Sequence, residues 1–287
     1  MVMDNTPTVA QEAPNAYNNV MNINDLRSIG KSLFKGIQAE RYAPGRNTAV
    51  RVGAAGDKTF PVDSLAEEII LAGLKALNEP LTIISEEMGI MELNNGGPKV
   101  LIDPIDGSKN SVAGIPFYCT SIAFSNGGTL GDVSLSYIIN LVNGDEFWAE
   151  KGSGAWLNGK QIHAQEDDIF SLVSYEAPVP GKDIPAIIPL LSQSRKTRCM
   201  GATALDLAYL ATGAASVFVT PALSRSFDFA GGWLLVKEAG GIFTDTSGAQ
   251  IENTILGLGK SSSLLAAGNL QLHRKALELL SGGKEHV

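Results

Sequence analysis

Two aspartates three residues apart, Asp103 and Asp106, follow a short apolar run at residues 100–102 and lead into a glycine and a hydroxyl, Gly107 and Ser108. Pro104 stiffens this segment, and Gly107 lets a ligand come close to the backbone. Oxygen-rich spacing of this kind suits a hard cation such as Mg2+. An ordinary Asp-Gly turn would leave the same trace, so the other acidic residues matter. Glu86 and Glu87 end the run at 81–85, Asp63 opens one helical pattern, and Asp228, after Arg225, opens another. Singly, each reads as well as a helix cap or a solvated charge. Together they place four acidic stations at the ends of elements, where active-site groups gather. The chain has only three histidines and two cysteines, Cys119 and Cys199, too far apart for a zinc set or a disulfide framework. An all-oxygen metal site is therefore expected.

The elements that must position these groups are read from periodicity. Asn24 and Asp25 are placed to cap a helix with the face Leu26, Ile29, Leu33, Phe34 and Ile37, and Pro44 and Gly45 end that region. Residues 51–58 read as a mobile loop. Ser64, Leu65, Ala66 and Glu67 fit a capping box ahead of Ile69, Ile70, Leu74 and Leu77, which puts Asp63 at the mouth of a helix. Strand-like runs follow at 81–85, 100–102, 117–125, 132–139 and 145–150, with turns around a short strand over 151–160. From about residue 166 onward, helical and strand patterns alternate at 186–192, 204–211, 217–220, 228–239, 242–245, 264–267 and 270–280, and Gly240-Gly241 stops one helix. This pattern predicts a loose polar tail over 1–22, an α+β lobe over 23–165 and an α/β lobe over 166–287. Because acidic stations fall in both halves, the two lobes are expected to share one active site in alternating layers of helix and sheet.

Composition removes several classes of partner. Acidic residues outnumber basic ones by 30 to 22, so nucleic acid, which binds through phosphate neutralisation, is not expected. No apolar run reaches the roughly 18 residues of a membrane span, and the first 20 residues lack the basic and apolar regions of a secretory signal. The two cysteines suit a reducing, cytoplasmic setting. Gly257-Leu258-Gly259-Lys260-Ser261 imitates the end of a phosphate-binding P-loop, but Thr254 stands where that motif needs glycine.

Taken together, these motifs resemble the inositol monophosphatase superfamily. The family signature is an acidic pair, a D-P-I-D-G-[ST] loop, and a W-D-x-A-A-G-like helix start leading to E-A-G-G. Here these stand as Ser85-Glu86-Glu87, Asp103 to Ser108, and Phe227-Asp228-Phe229-Ala230-Gly231-Gly232 leading to Glu238-Ala239-Gly240-Gly241. The similarity is closest to the archaeal-type branch, whose enzymes act on both inositol monophosphate and fructose 1,6-bisphosphate. Ile84, Gly114-Ile115-Pro116-Phe117, Arg198, Gly201-Ala202 and Arg225 carry that likeness. Three positions depart from the family pattern: Phe227 for the usual tryptophan, Lys109 after Ser108, and Pro221 where the animal inositol enzymes place a substrate-binding glutamate.

The resemblance implies a layered αβαβα sandwich of the sugar-phosphatase type and a Mg2+-dependent phosphomonoesterase. It implies two or three Mg2+ on Glu86, Asp103, Asp106, Asp228 and the Ile105 carbonyl, with Asp63, Glu86 and Ser108 as catalytic groups. Asp106, the Gly107-Ser108 backbone and the helix start at Gly201-Ala202 would hold the reacting phosphate. Tyr175, Arg198 and Arg225 are candidates for a second phosphate or sugar hydroxyls. The expected partner is a small phosphorylated sugar or polyol, and the expected assembly a homodimer or homotetramer. The competing readings are a phosphatase of 3′-phosphoadenosine nucleotides or NADP and a non-catalytic phosphosugar-binding regulator on the same scaffold.

Overall fold

The computed structural model describes residues 20–40 and 47–282. In chain order the elements are α1 (Ile23–Glu40), β1 (Arg51–Val52), β2 (Lys58–Thr59), α2 (Pro61–Ala76), β3 (Leu81–Ser85), β4 (Gly89–Leu93) and β5 (Lys99–Asp106). Then come α3 (Ser108–Ala113), β6 (Cys119–Ser125), β7 (Val133–Asn140), β8 (Glu146–Glu150), β9 (Gly154–Leu157), β10 (Lys160–Ile162) and β11 (Val173–Tyr175). The chain ends with α4 (Pro180–Gln193), β12 (Thr197–Arg198), α5 (Thr203–Ala211), β13 (Val217–Arg225), α6 (Ser226–Glu238), β14 (Ile242–Thr244), β15 (Lys260–Ala267) and α7 (Leu270–Gly282).

Five layers result. An eight-stranded sheet, ordered β10-β9-β8-β7-β6-β5-β3-β4, is antiparallel except for the β3–β5 pair. A five-stranded sheet, ordered β12-β11-β13-β15-β14, is parallel on one side of β13 and antiparallel on the other. Helices α1 and α2 cover the outer face of the larger sheet, α5 and α6 lie between the sheets, and α4 and α7 cover the outer face of the smaller sheet. This is the αβαβα sandwich. Each interlayer space has its own apolar cluster, and the central one draws Ile84 and Leu101 together with Leu205, Phe229 and Phe243. The chain therefore changes sheet after β10, while α5 and α6 belong by packing to both sheets.

Several local expectations are revised. Asn22 caps α1: its side chain accepts from Asn24 N at 2.9 Å, and Asp25 reaches back to Asn22 N at 2.9 Å. Met21, expected in the loose tail, is buried in the outer core. Residues 1–19 of that tail, and Pro44 and Gly45, lie outside the described residues. Helix α2 starts at Pro61, before the expected box, because proline suits a first helical position. Asp63 thus sits inside the first turn, and Glu67 points inward to Ser85 and Arg51 instead of capping. The loop expected to be mobile is a short hairpin, with Arg51 paired to Thr59 and Val52 to Lys58. Strand β5 runs on through Asp103 to Asp106, with a break in register between them.

Helix α6 fits between the layers because Ala230, Gly231 and Gly232 leave its middle turn nearly bare of side chains. A Cβ on Gly231 would stand 2.7 Å from Ser121 Oγ, and one on Gly232 would stand 2.5 Å from Leu207 Cδ1. Helix propensity alone favours alanine over glycine by about 1 kcal/mol, whereas overpacking a tight core costs about 1–3 kcal/mol. Gly232→Ala is thus expected to lower the urea midpoint by an amount equivalent to about 1–2 kcal/mol with unchanged slope. A raised midpoint would mean that α6 and α5 are not in close contact.

Candidate active site

The Asp103–Ser108 segment is shaped by backbone constraints. Thr120 Oγ1 donates to Pro104 O at 2.5 Å inside the register break. Gly107 then turns left-handed at φ 91°, and α3 begins. A Cβ at Gly107 would meet Gly201 O and Phe117 O at 3.1 Å each, so the close packing of this turn on the Gly201 segment also requires glycine. Asn110 Nδ2 straddles the same junction, donating to Phe117 O at 2.8 Å and Met200 O at 2.6 Å.

Most of the carboxylates are fixed through one oxygen. Asp63 and Asp228 both occupy the third position of a helix and reach back to the N-cap N–H: Phe60 N donates to Asp63 at 2.6 Å, and Arg225 N to Asp228 at 2.9 Å. Asp106 Oδ2 accepts from Ala204 N at 2.6 Å, so the N-terminus of α5, expected to hold phosphate, is filled by this side chain. Ser108 Oγ lies 2.8 Å from both Asp63 Oδ1 and Ile105 O and can donate its single proton to one at a time. Glu86 follows β3, its N–H bonded to Ile102 O, while its carbonyl accepts from Ala55 of the hairpin. Glu87 accepts a short hydrogen bond from Thr59 Oγ1. Asp103 differs: it is 3% exposed, and its Oδ1 has no hydrogen-bond partner.

These groups open on a cleft of about 600 Å3 lined by Glu86, Asp103, Ile105, Asp106, Gly107, Ser108, Gly201 and Asp228. Several lining residues have no site role in the sequence reading: Asp57 and Lys58 of the hairpin, Lys109 and Glu176. Asp57 and Lys58 reach the cleft only because the 51–58 segment folds as a hairpin, and nothing in its composition signals that. Asp63 stands behind Ser108, and buried Ala202 packs beside Gly107. The three candidates for a second phosphate are not on the wall. Arg225 donates to Asp57 Oδ2 at 2.8 Å and to Ala55 O at 2.7 Å, tying the hairpin to the start of α6. Arg198 is exposed and turns onto Thr197 O, and Tyr175 packs against the apolar core around β11 and α4.

Burial dominates the electrostatics. It raises Glu86 and Asp106 to about 8, with Asp228 adding repulsion in both cases and the N–H groups of Ala204 and Thr203 easing Asp106 downward. It raises Asp63 and Asp228 to about 6, against the pull of their cap hydrogen bonds. Asp103 is pushed well above the usual carboxylate range by burial and then by Glu86, Asp106 and Asp228. Among the described residues, no three His, Cys, Asp or Glu side chains are closed into a ready-made cation cage. The cleft thus carries the charges of a cation site in an open arrangement. The fit to a hard divalent cation rests on Asp103 Oδ1, buried without a partner, and on an all-oxygen donor set.

Comparison with known proteins places this geometry in context. A profile described as "Inositol monophosphatase family" matches residues 32–283. A fructose-1,6-bisphosphatase/inositol-1-monophosphatase of Methanothermobacter thermautotrophicus is 34% identical over 242 residues, covering 80% of this chain and 86% of the relative. A bifunctional NADP phosphatase/NAD kinase of Methanococcus maripaludis is 29% identical, covering 89% of this chain but 48% of that larger protein. Among solved structures, an inositol monophosphatase-fructose 1,6 bisphosphatase superposes with a TM-score of 0.78 at 27% identity, covering 90% of this chain and 100% of that one. Among the described residues no helix is long and apolar enough to cross a membrane.

The raised carboxyl groups have a consequence for stability. Between about 4, where free carboxyls titrate, and about 8, the folded chain holds protons that the unfolded chain has lost. Stability without divalent cations must therefore fall as pH rises through that window. The melting temperature of chelator-treated protein is expected to drop between about pH 5 and about pH 8, Mg2+ to restore it, and Asp103→Asn to flatten the slope. A melting temperature that is level or rises over this range would contradict the burial of these charges.

Proposed function

The chain belongs to the inositol monophosphatase family, and we propose that it is a Mg2+-dependent hydrolase of sugar and polyol phosphates, with fructose 1,6-bisphosphate and inositol 1-phosphate as substrates. The observation that carries this reading is the buried, unpartnered Asp103 Oδ1 in a cleft shared with Glu86, Asp106 and Asp228. In the proposal two or three Mg2+ are held by these four carboxylates and the Ile105 carbonyl. Such ions lower the pKa of a water and offset phosphate charge.

The chain's own groups do the rest. The backbone at Gly107 and Ser108 lies open to the cleft and offers donors to the phosphate oxygens. Ser108 Oγ accepts a hydrogen bond from the attacking water, takes up the proton the water loses and gives its own to Asp63 Oδ1, to which it is already bonded, while the P–O bond to the alcohol breaks and the departing oxygen takes a proton from solvent. A carboxyl held near 6 suits that task, since it is largely ionised at neutral pH yet basic enough to accept a proton. Glu86, which lines the same cleft, is the third catalytic group of the proposal. The hairpin, held by Arg225, brings Lys58 to the rim, and Lys109 follows Ser108. These lysines replace Arg198 and Arg225 in the proposal as the cations for a non-reacting phosphate. The similarity to an NADP phosphatase makes NADP the first competitor to include in a test.

Phosphate release should be measured from fructose 1,6-bisphosphate, inositol 1-phosphate, NADP and 3′-phosphoadenosine 5′-phosphate, with and without Mg2+. Mg2+-dependent turnover of the first two is expected; turnover of the nucleotides alone would refute the substrate assignment, and none at all the enzyme assignment. Arg225→Ala should lower kcat/KM by a similar factor, roughly ten-fold, on both sugar and polyol substrates, because it releases the hairpin for either. Lys109→Ala should penalise the bisphosphate selectively. A selective loss with Arg225→Ala would restore it as the reader of the second phosphate.

A further inference from the structure

We propose that Glu176 is a specificity-determining residue whose carboxylate accepts hydrogen bonds from hydroxyl groups of the substrate's alcohol portion. The inference rests on the phosphatase reading and names the part of the substrate that one wall of the cleft recognises. Glu176 follows β11, and its backbone N–H is bonded to Val219 O at 3.1 Å. Its Oε1 accepts from Gly201 N at 2.7 Å. Gly201 is the residue whose carbonyl abuts the Gly107 turn. The carboxylate is therefore held one residue contact away from the backbone assigned to the reacting phosphate, and it lines the same cleft.

Its surroundings decide what it can bind. Among the described residues no lysine or arginine pairs with Glu176, and the acidic side chains of Asp106 and Asp206 stand near it. A phosphate oxygen at this place would meet the Glu176 carboxylate with no cation paired to it. A hydroxyl brings a donor and no charge. A partly desolvated carboxylate with one oxygen tied to Gly201 needs such donors at its other lone pairs. Phosphate and hydroxyl recognition then divide between different residues of one cleft: cations at Lys58 and Lys109, and a carboxylate at Glu176.

Asp103 and its neighbours take no part in the test. Glu176→Gln keeps an amide oxygen for Gly201 N–H, removes the charge and turns the second acceptor oxygen into an NH2 donor. The wild type and this variant should be compared on inositol 1-phosphate and on cyclohexyl phosphate, which has the same ring without hydroxyls. Loss of charge-assisted hydrogen bonds should raise KM for inositol 1-phosphate roughly ten-fold or more while leaving kcat within about two-fold. KM for cyclohexyl phosphate should stay within about two-fold. A similar change on both substrates would make Glu176 a scaffold residue and overturn the proposal, as would no change on inositol 1-phosphate. Should Glu176→Gln not fold, the wild type alone must still bind inositol 1-phosphate more tightly than cyclohexyl phosphate, and equal KM values would overturn the proposal. Absence of Mg2+-dependent turnover of either ester by the wild type would instead remove the phosphatase reading on which the inference stands.

Discussion

Several carboxylates withdrawn from water into one cleft repel one another and lose their hydration, and both effects favour protonation over charge. Glu86, Asp103, Asp106 and Asp228 are held in that condition, with burial as the largest cause for each. A group of this kind is a liability to folding unless cations accompany it. The rest of the architecture can be understood as the means of enforcing this proximity. Helix α6 brings Asp228 in from between the sheets and can do so only because Gly231 and Gly232 leave room for Ser121 and Leu207. The break in β5 turns Asp103 and Asp106 toward one cleft, where strict alternation would send two residues three apart to opposite faces.

A common device fixes the orientation of these side chains. Asp63, Asp228 and Asp106 each give one oxygen to a backbone N–H at a helix start. The helix gains a partner for an unpaired N–H group, and the carboxylate becomes immobile while keeping a second oxygen. For Asp63 that second oxygen meets Ser108. Stability and chemistry thus draw on the same residues, so removing any one of them should alter both. Asp103 lacks such a tie, and its buried Oδ1 has no partner among the described residues.

The sequence displayed part of this plainly. Asp103 to Ser108 was legible because proline and glycine around two acids at the end of an apolar run make a stiff, oxygen-rich turn of the kind a hard cation needs. The family motifs placed Glu86 and Asp228 beside it. Fold layers were legible from the change of texture near residue 166 and from the resemblance. Strands β11 and β12 were not, being three and two residues long, and five-residue β4 was not because its outward positions carry Ile90 as well as Glu92, which hides the alternation. The pairing of Arg225 was not legible because its partner Asp57 lies 168 residues earlier, in a stretch whose composition gives no hint of a hairpin. Glu176 and Lys58 escaped notice, and Lys109 stood out only as a departure from the family pattern, because a lone charge beside a short element means nothing until the fold decides which cavity it faces.

The central claim, that buried carboxylates hold protons until a divalent cation displaces them, is open to direct measurement. Chelator-treated protein at about pH 7 in weak buffer should release about one or more protons per chain as Mg2+ is added. The release should saturate with binding and largely vanish in Asp103→Asn. Mg2+ binding without proton release, or no binding at all, would contradict the account.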